Sequence, residues 1–182
     1  MFFVILLGIL VGCNSSNETK EKNSKEQTTP TTDAEYVEQA TFTDLEGNEV
    51  AVSDYKGKVV MIDFWETWCK PCLASFPTLQ KLEEKYPDRF VVFAVTPGFT
   101  DTRDDAQSFA NEHEYDFTYL MDSNKLHQKL GVQGIPFKVF VDGQGNFIKK
   151  SMGSYGPDKD YKMVQNIIKE HSEMPSEPEK SK

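Results

Sequence analysis

The chain has 182 residues, 38% of them apolar and 12% aromatic, which is enough to build the core of one domain with appendages. A formal net charge of -9 argues against nucleic acid or an anionic membrane surface as a docking partner. Three cysteines are too few for a disulfide scaffold.

The opening stretch MFFVILLGILVG is apolar and runs directly into Cys13. It is too short to span a bilayer and fits the apolar region of a secretory signal over residues 1–12. LVGC resembles the lipobox of bacterial lipoproteins, which implies that Cys13 is lipidated and begins the mature chain. The competing reading is an uncleaved N-terminal anchor. No Lys or Arg precedes the apolar run, a departure from the usual signal that leaves the true start open. Either reading puts the domain outside the cytoplasmic membrane, where disulfides persist. Residues 14–32 are polar and without apolar period, so 13–34 is expected to be a disordered tether. Such a tether has a coil span of roughly 25 Å.

The folded domain is expected over residues 35–172. Residues 35–52 predict an opening strand and a hairpin turning at Glu46, Gly47 and Asn48. A single helical turn closed by Gly57 follows. VVMIDF, residues 59–64, is a short apolar, β-branched run of the kind covered on both faces of a sheet. Leu73, Phe76, Leu79 and Leu82 recur at helical spacing and predict a helix to about Tyr86, kinked at Pro77. FVVFAV, residues 90–95, reads as a second buried strand. A helix over 101–113, a short strand over 117–121 and a short helix over 124–130 follow. Residues 138–141 and 147–151 predict a hairpin, and Pro157 opens a last helix with Tyr161, Val164, Ile167 and Ile168 as its stripe. The tail, 173–182, is expected to be disordered. This order predicts an α/β fold: a mixed sheet flanked by helices.

Cys69 and Cys72 stand where the first buried strand hands over to a helix, with Pro71 suited to the first helical turn. A helix N-terminus favours thiolate, the reactive form of cysteine. Cys69 is read as the nucleophile that attacks a disulfide, and Cys72, the deeper thiol, as the residue that resolves the mixed disulfide. A purely structural bridge is a poor alternative, because closing so short a loop constrains the unfolded chain little. Half a zinc site is another, but Cys13 belongs to a different segment and no histidine lies near. His113, His127 and His171 lack ligand spacing, so no metal and no cofactor is expected.

WETWCKPC, Pro77 and LGVQGIPF together resemble the thioredoxin superfamily, in its extracytoplasmic, membrane-anchored TlpA/ResA-like branch. The extra helix and strand between Phe99 and Met121 resemble the insertion of that branch. The resemblance implies that Ile135–Pro136 is a cis bond facing the cysteines, presenting the Ile135 backbone to a client peptide; the residues alone leave cis and trans equally open. It also implies that Asp63, buried in the strand before the cysteines, accepts the Cys72 proton, although a satisfied structural carboxylate would sit there as well. Lys70 either favours the thiolate or is merely solvated. Glu66 is unusual for the motif and either raises the thiol pKa or is solvated. Trp65 and Trp68 are read as a lid and a core residue, Trp68 also touching substrate.

Three departures bear on clients. Ser75 replaces the glutamate frequent in cytochrome-maturation members, Asp63 replaces a frequent asparagine, and Phe137 replaces a threonine after the proline. The expected activity is reduction of disulfides in exported proteins such as apocytochrome c or methionine sulfoxide reductase. Electrons would come from a membrane thiol donor of the CcdA/DsbD kind, and the protein is expected to be a lipid-anchored monomer. A Cu(I) carrier or a disulfide-forming oxidant is the alternative.

Overall fold

The computed structural model describes residues 32–172. The signal segment, Cys13, the tether up to residue 31 and the tail 173–182 lie outside the described residues.

The first element is a helix, α1 (Asp33–Glu38), where the sequence predicts the start of an extended strand. The cause is local. The Thr32 side chain accepts from the Glu35 backbone N–H while the Glu35 carboxylate accepts from the Thr32 N–H, a reciprocal cap that launches a helix. Val37 is its buried anchor. The hairpin follows as β1 (Thr41–Asp44) and β2 (Glu49–Ala51), with Gly47 in the left-handed region at its turn. A 3₁₀ turn, Val52–Tyr55, leads to β3 (Val59–Phe64). Then come α2 (Lys70–Lys85), β4 (Phe90–Thr96), α3 (Arg103–Glu112), β5 (Thr118–Met121), the short α4 (Leu126–Lys129), β6 (Phe137–Val141), β7 (Phe147–Met152) and α5 (Pro157–His171). Pro77 lies inside α2, which continues past it.

The seven strands form one mixed sheet in the order β2-β1-β5-β4-β3-β6-β7. β3, β4 and β5 run parallel, while β6 is antiparallel to β3 and β7 to β6. Phe64, at the end of β3, therefore pairs with Phe137, which in turn pairs with Met152. One edge of the sheet thus collects the ends of β3, β4 and β7 and the start of β6. In α/β sheets that carboxyl edge is where chemistry is placed.

The central strands are buried on both faces, and strand alternation divides them between two cores. Val60, Ile62 and Phe64 face α1 and α4 with Phe42, Phe93 and Leu126. Val59 and Met61 face the other way, with Phe76, Leu79, Phe109 and Ile168 from α2, α3 and α5. Cys69 and Cys72 belong to this second core.

Candidate active site

Cys69 caps α2, and its sulfur accepts from the Cys72 backbone N–H at 3.3 Å. The N-terminal N–H groups of a helix have no partner within the helix, so a sulfur placed there is stabilised as thiolate. Lys70 and Pro71, the first two helical residues, are exposed. Cys69 and Cys72 are disulfide-bonded, with Cα atoms 5.3 Å apart. The depth ordering read from the sequence is slight: Cys69 is 1% exposed and Cys72 0%.

The Ile135–Pro136 bond is cis. It precedes Phe137, the β6 residue paired with Phe64, so it lies at the same carboxyl edge as the cysteines. The Pro136 carbonyl accepts from the Gly153 N–H at 2.8 Å, which ties the loop to the end of β7. Ile135 is half-buried and packs against the core that contains both cysteines.

Asp63 sits on β3 with the same facing as Met61, toward α2 and α5, and is fully buried. Neither carboxylate oxygen has a hydrogen-bond partner among the described residues. Burial pushes its carboxyl from the ordinary 3.8 up to about 6; the Lys138 ammonium pulls it back down and the Asp160 carboxylate adds to the rise. Lys138 is its register partner on β6, with Nζ 3.8 Å from Asp63 Oδ1 and donating to the Gly153 carbonyl at 3.3 Å. Asp160, in the first turn of α5, accepts from the Ser154 hydroxyl and the Tyr155 N–H. The sequence reading missed Lys138 and Asp160. Lys138 carried a signal, a lysine inside the apolar run FKVFV two residues after Pro136. Asp160 resembled an ordinary first-turn acid that complements a helix dipole.

Glu66 corrects one of its two expected placements: it is buried, not solvated. Oε1 accepts from the Phe99 N–H at 2.6 Å, both oxygens accept from the Thr100 N–H at 3.2 Å, and Oε2 accepts from the Thr100 hydroxyl at 2.8 Å. Oε2 also accepts from the Trp68 indole N–H at 2.7 Å. A buried charge is tolerated when its oxygens are satisfied in this way. The two tryptophans exchange their expected places: Trp65, tied to β4 through its backbone N–H to the Val95 carbonyl, is fully buried among Phe76, Phe109 and Tyr119, whereas Trp68, expected in the core, stands on the surface with its indole N–H turned to Glu66.

His127 is buried, its Nδ1 2.6 Å from Asp122 Oδ2, and His113 stacks on Phe109 with centroids 3.9 Å apart. No group of three or more His, Cys, Asp or Glu side chains among the described residues has an arrangement that would hold a metal. Among them, too, no helix is long and apolar enough to cross a membrane.

A Cys-x-x-Cys pair at the start of a helix, with a buried aspartate in the strand before it and a cis-proline loop at the same edge of a mixed sheet, defines a thioredoxin-like protein. The AhpC/TSA family model matches residues 32–151, and the chain belongs to that family. It is 33% identical over 104 residues to the thioredoxin-like protein YneN of Bacillus subtilis, covering 56% of this chain and 60% of that one. The match therefore spans less than two thirds of that relative. Against the thiol-disulfide oxidoreductase ResA of Geobacillus thermodenitrificans it is 31% identical over 134 residues, 72% of this chain and 71% of that one. Among solved structures, the pneumococcal exposed lipoprotein thioredoxin Etrx1 of Streptococcus pneumoniae is 30% identical with a TM-score of 0.59, over 70% of this chain and 98% of that one.

Proposed function

We propose that the chain is an extracytoplasmic thiol–disulfide oxidoreductase that reduces disulfides in exported proteins. The observation that carries this reading is the bonded Cys69–Cys72 pair at the N-terminus of α2, with the Ile135–Pro136 loop at the same edge of the sheet. The relatives named ResA support the activity class, and the exposed lipoprotein Etrx1 supports the location, with Cys13 as the lipidated residue.

In the reduced protein, the Cys69 thiolate attacks one sulfur of a client disulfide. A Cys69–client bond forms, the client S–S bond breaks, and the client's other sulfur leaves as a thiolate that takes a proton. Cys72 then gives its proton to Asp63 and attacks the Cys69 sulfur; the Cys69–client bond breaks, the client's second sulfur leaves as a thiolate that takes a proton from water, and the Cys69–Cys72 disulfide forms. Two electrons pass to the client. A membrane thiol donor returns them by reducing that disulfide, and no cofactor takes part. Ile135, Pro136 and Trp68 form the client-facing surface, with the Ile135 backbone pairing an extended client segment. Lys70 and Pro71 favour the thiolate by position. Apocytochrome c and methionine sulfoxide reductase are candidate clients, and the protein works as a monomer.

Trapping tests the assignment. In Cys72→Ala, clients should accumulate as mixed disulfides on Cys69, to be named by mass spectrometry. An empty Cys69 in that variant would refute the assigned roles. A purified domain that neither reduces insulin nor exchanges with glutathione, yet binds Cu(I), would favour a copper carrier instead.

A further inference from the structure

Two large apolar side chains on the loops after β3 and β4, at the sheet edge that carries the redox pair, are left in solvent, Trp68 at 54% and Phe99 at 43% exposure. They come from different loops, one leading into α2 and the other following β4. A single buried carboxylate joins them. Glu66 accepts the Trp68 indole N–H and the Phe99 backbone N–H, while its own carbonyl accepts the Cys69 N–H at 2.9 Å. Thr100 supplies a second acceptor for the same indole at 2.7 Å. Asp101 braces the joint by accepting the Thr67 N–H at 2.5 Å. On its far side the Phe99 ring meets the His127 ring edge-on at 5.3 Å. Exposed aromatics are ordinarily free to change rotamer, and that freedom is lost when they bind. Here the cost is met before binding.

We propose that Glu66 is a positioning residue that sets client preference: its carboxylate holds Trp68 and Phe99 as a fixed apolar wall beside Cys69, which grips an apolar side chain flanking the half-cystine of a polypeptide disulfide. This rests on the oxidoreductase reading above. Disulfides without a flanking side chain gain nothing from the wall, so the preference is for polypeptide over small disulfides.

The test compares two substrates: a cyclic peptide disulfide with Leu beside one half-cystine, and hydroxyethyl disulfide. In Glu66→Ala the ratio of their kcat/KM values should fall about tenfold, mainly through KM for the peptide. Glu66→Gln keeps the volume but should fall as far. Every group facing the carboxylate is a donor, so an amide nitrogen would oppose one of them. Thr100→Val removes one hydroxyl partner, should lower the ratio about threefold, and carries the test if the Glu66 variants do not fold. An unchanged or raised ratio in folded variants overturns the inference, as does full rescue by Gln, which would make Glu66 a filler of space. A wild type that reduces neither substrate sinks the oxidoreductase reading itself; an active wild type with an insensitive ratio sinks only the wall.

Discussion

Asp63→Asn isolates the buried charge in the strand that leads to the cysteines. An aspartate in the unfolded chain titrates near 3.8, and burial moves Asp63 to about 6 in the fold. This is the reverse of the usual carboxylate case, because the folded state holds the proton more tightly than the unfolded chain. Stability from this residue is therefore full below 3.8 and is lost as pH rises through about 6. The interval from 3.8 to about 6 corresponds to about 3 kcal/mol. Asparagine has nearly the same shape and no charge to desolvate. Urea unfolding of the oxidised wild type and variant, from pH 3.5 to 8, should show the difference shifting by about 3 kcal/mol toward the variant and then levelling. Its absolute offset includes the cost of leaving Lys138 without its counter-charge, so the pH dependence of the difference is the decisive quantity. A difference flat with pH, or one that shifts toward the wild type as pH rises, would refute the reasoning. The same carboxylate is the proposed proton acceptor, so release of the mixed disulfide in the variant should slow about 100-fold at neutral pH.

Two further outcomes follow from neighbouring groups. Lys138→Met removes the cation that pulls the Asp63 carboxyl down, so the pH at which mixed-disulfide release reaches half its plateau should rise, as stopped-flow measurement across pH would show. Phe76→Ala empties a site ringed by Trp65, Phe109, Tyr115 and Phe117, at centroid distances of 5.0–5.9 Å, and should cost about 4 kcal/mol in urea unfolding with Cys69 and Cys72 still able to bond.

The readable parts of this chain were those with a period or a punctuating residue. β3 and β4 are unbroken apolar runs between turn signals, and Pro157 and His171 bound α5 as the stripe predicts. α1 was missed because its signal is a reciprocal cap of two side chains, not an apolar period, and it begins within the stretch read as tether. The cysteines were legible because strand, Cys-x-x-Cys and helix are contiguous in sequence. The cis bond at Pro136 was not: residues alone left it open, and only the family resemblance pointed to it.

Unlike α1, the contacts that Asp63 makes with Lys138 and Glu66 with Phe99 join residues that are distant in sequence and meet only through the sheet. Lys138 is 75 residues from Asp63 and becomes its neighbour only because β6 pairs antiparallel with β3 in that register. Glu66 and Phe99 are 33 apart and meet because β4 runs parallel to β3, bringing the loops after both strands to one edge. A solvated glutamate was a sound expectation for a charged residue in a loop, since burying it without partners is costly. The partners are backbone N–H groups, which no side-chain pattern announces. Local motifs thus located the cysteine pair, whereas the charges around Asp63 depend on strand register, which follows from the whole hydrophobic pattern and not from any one residue.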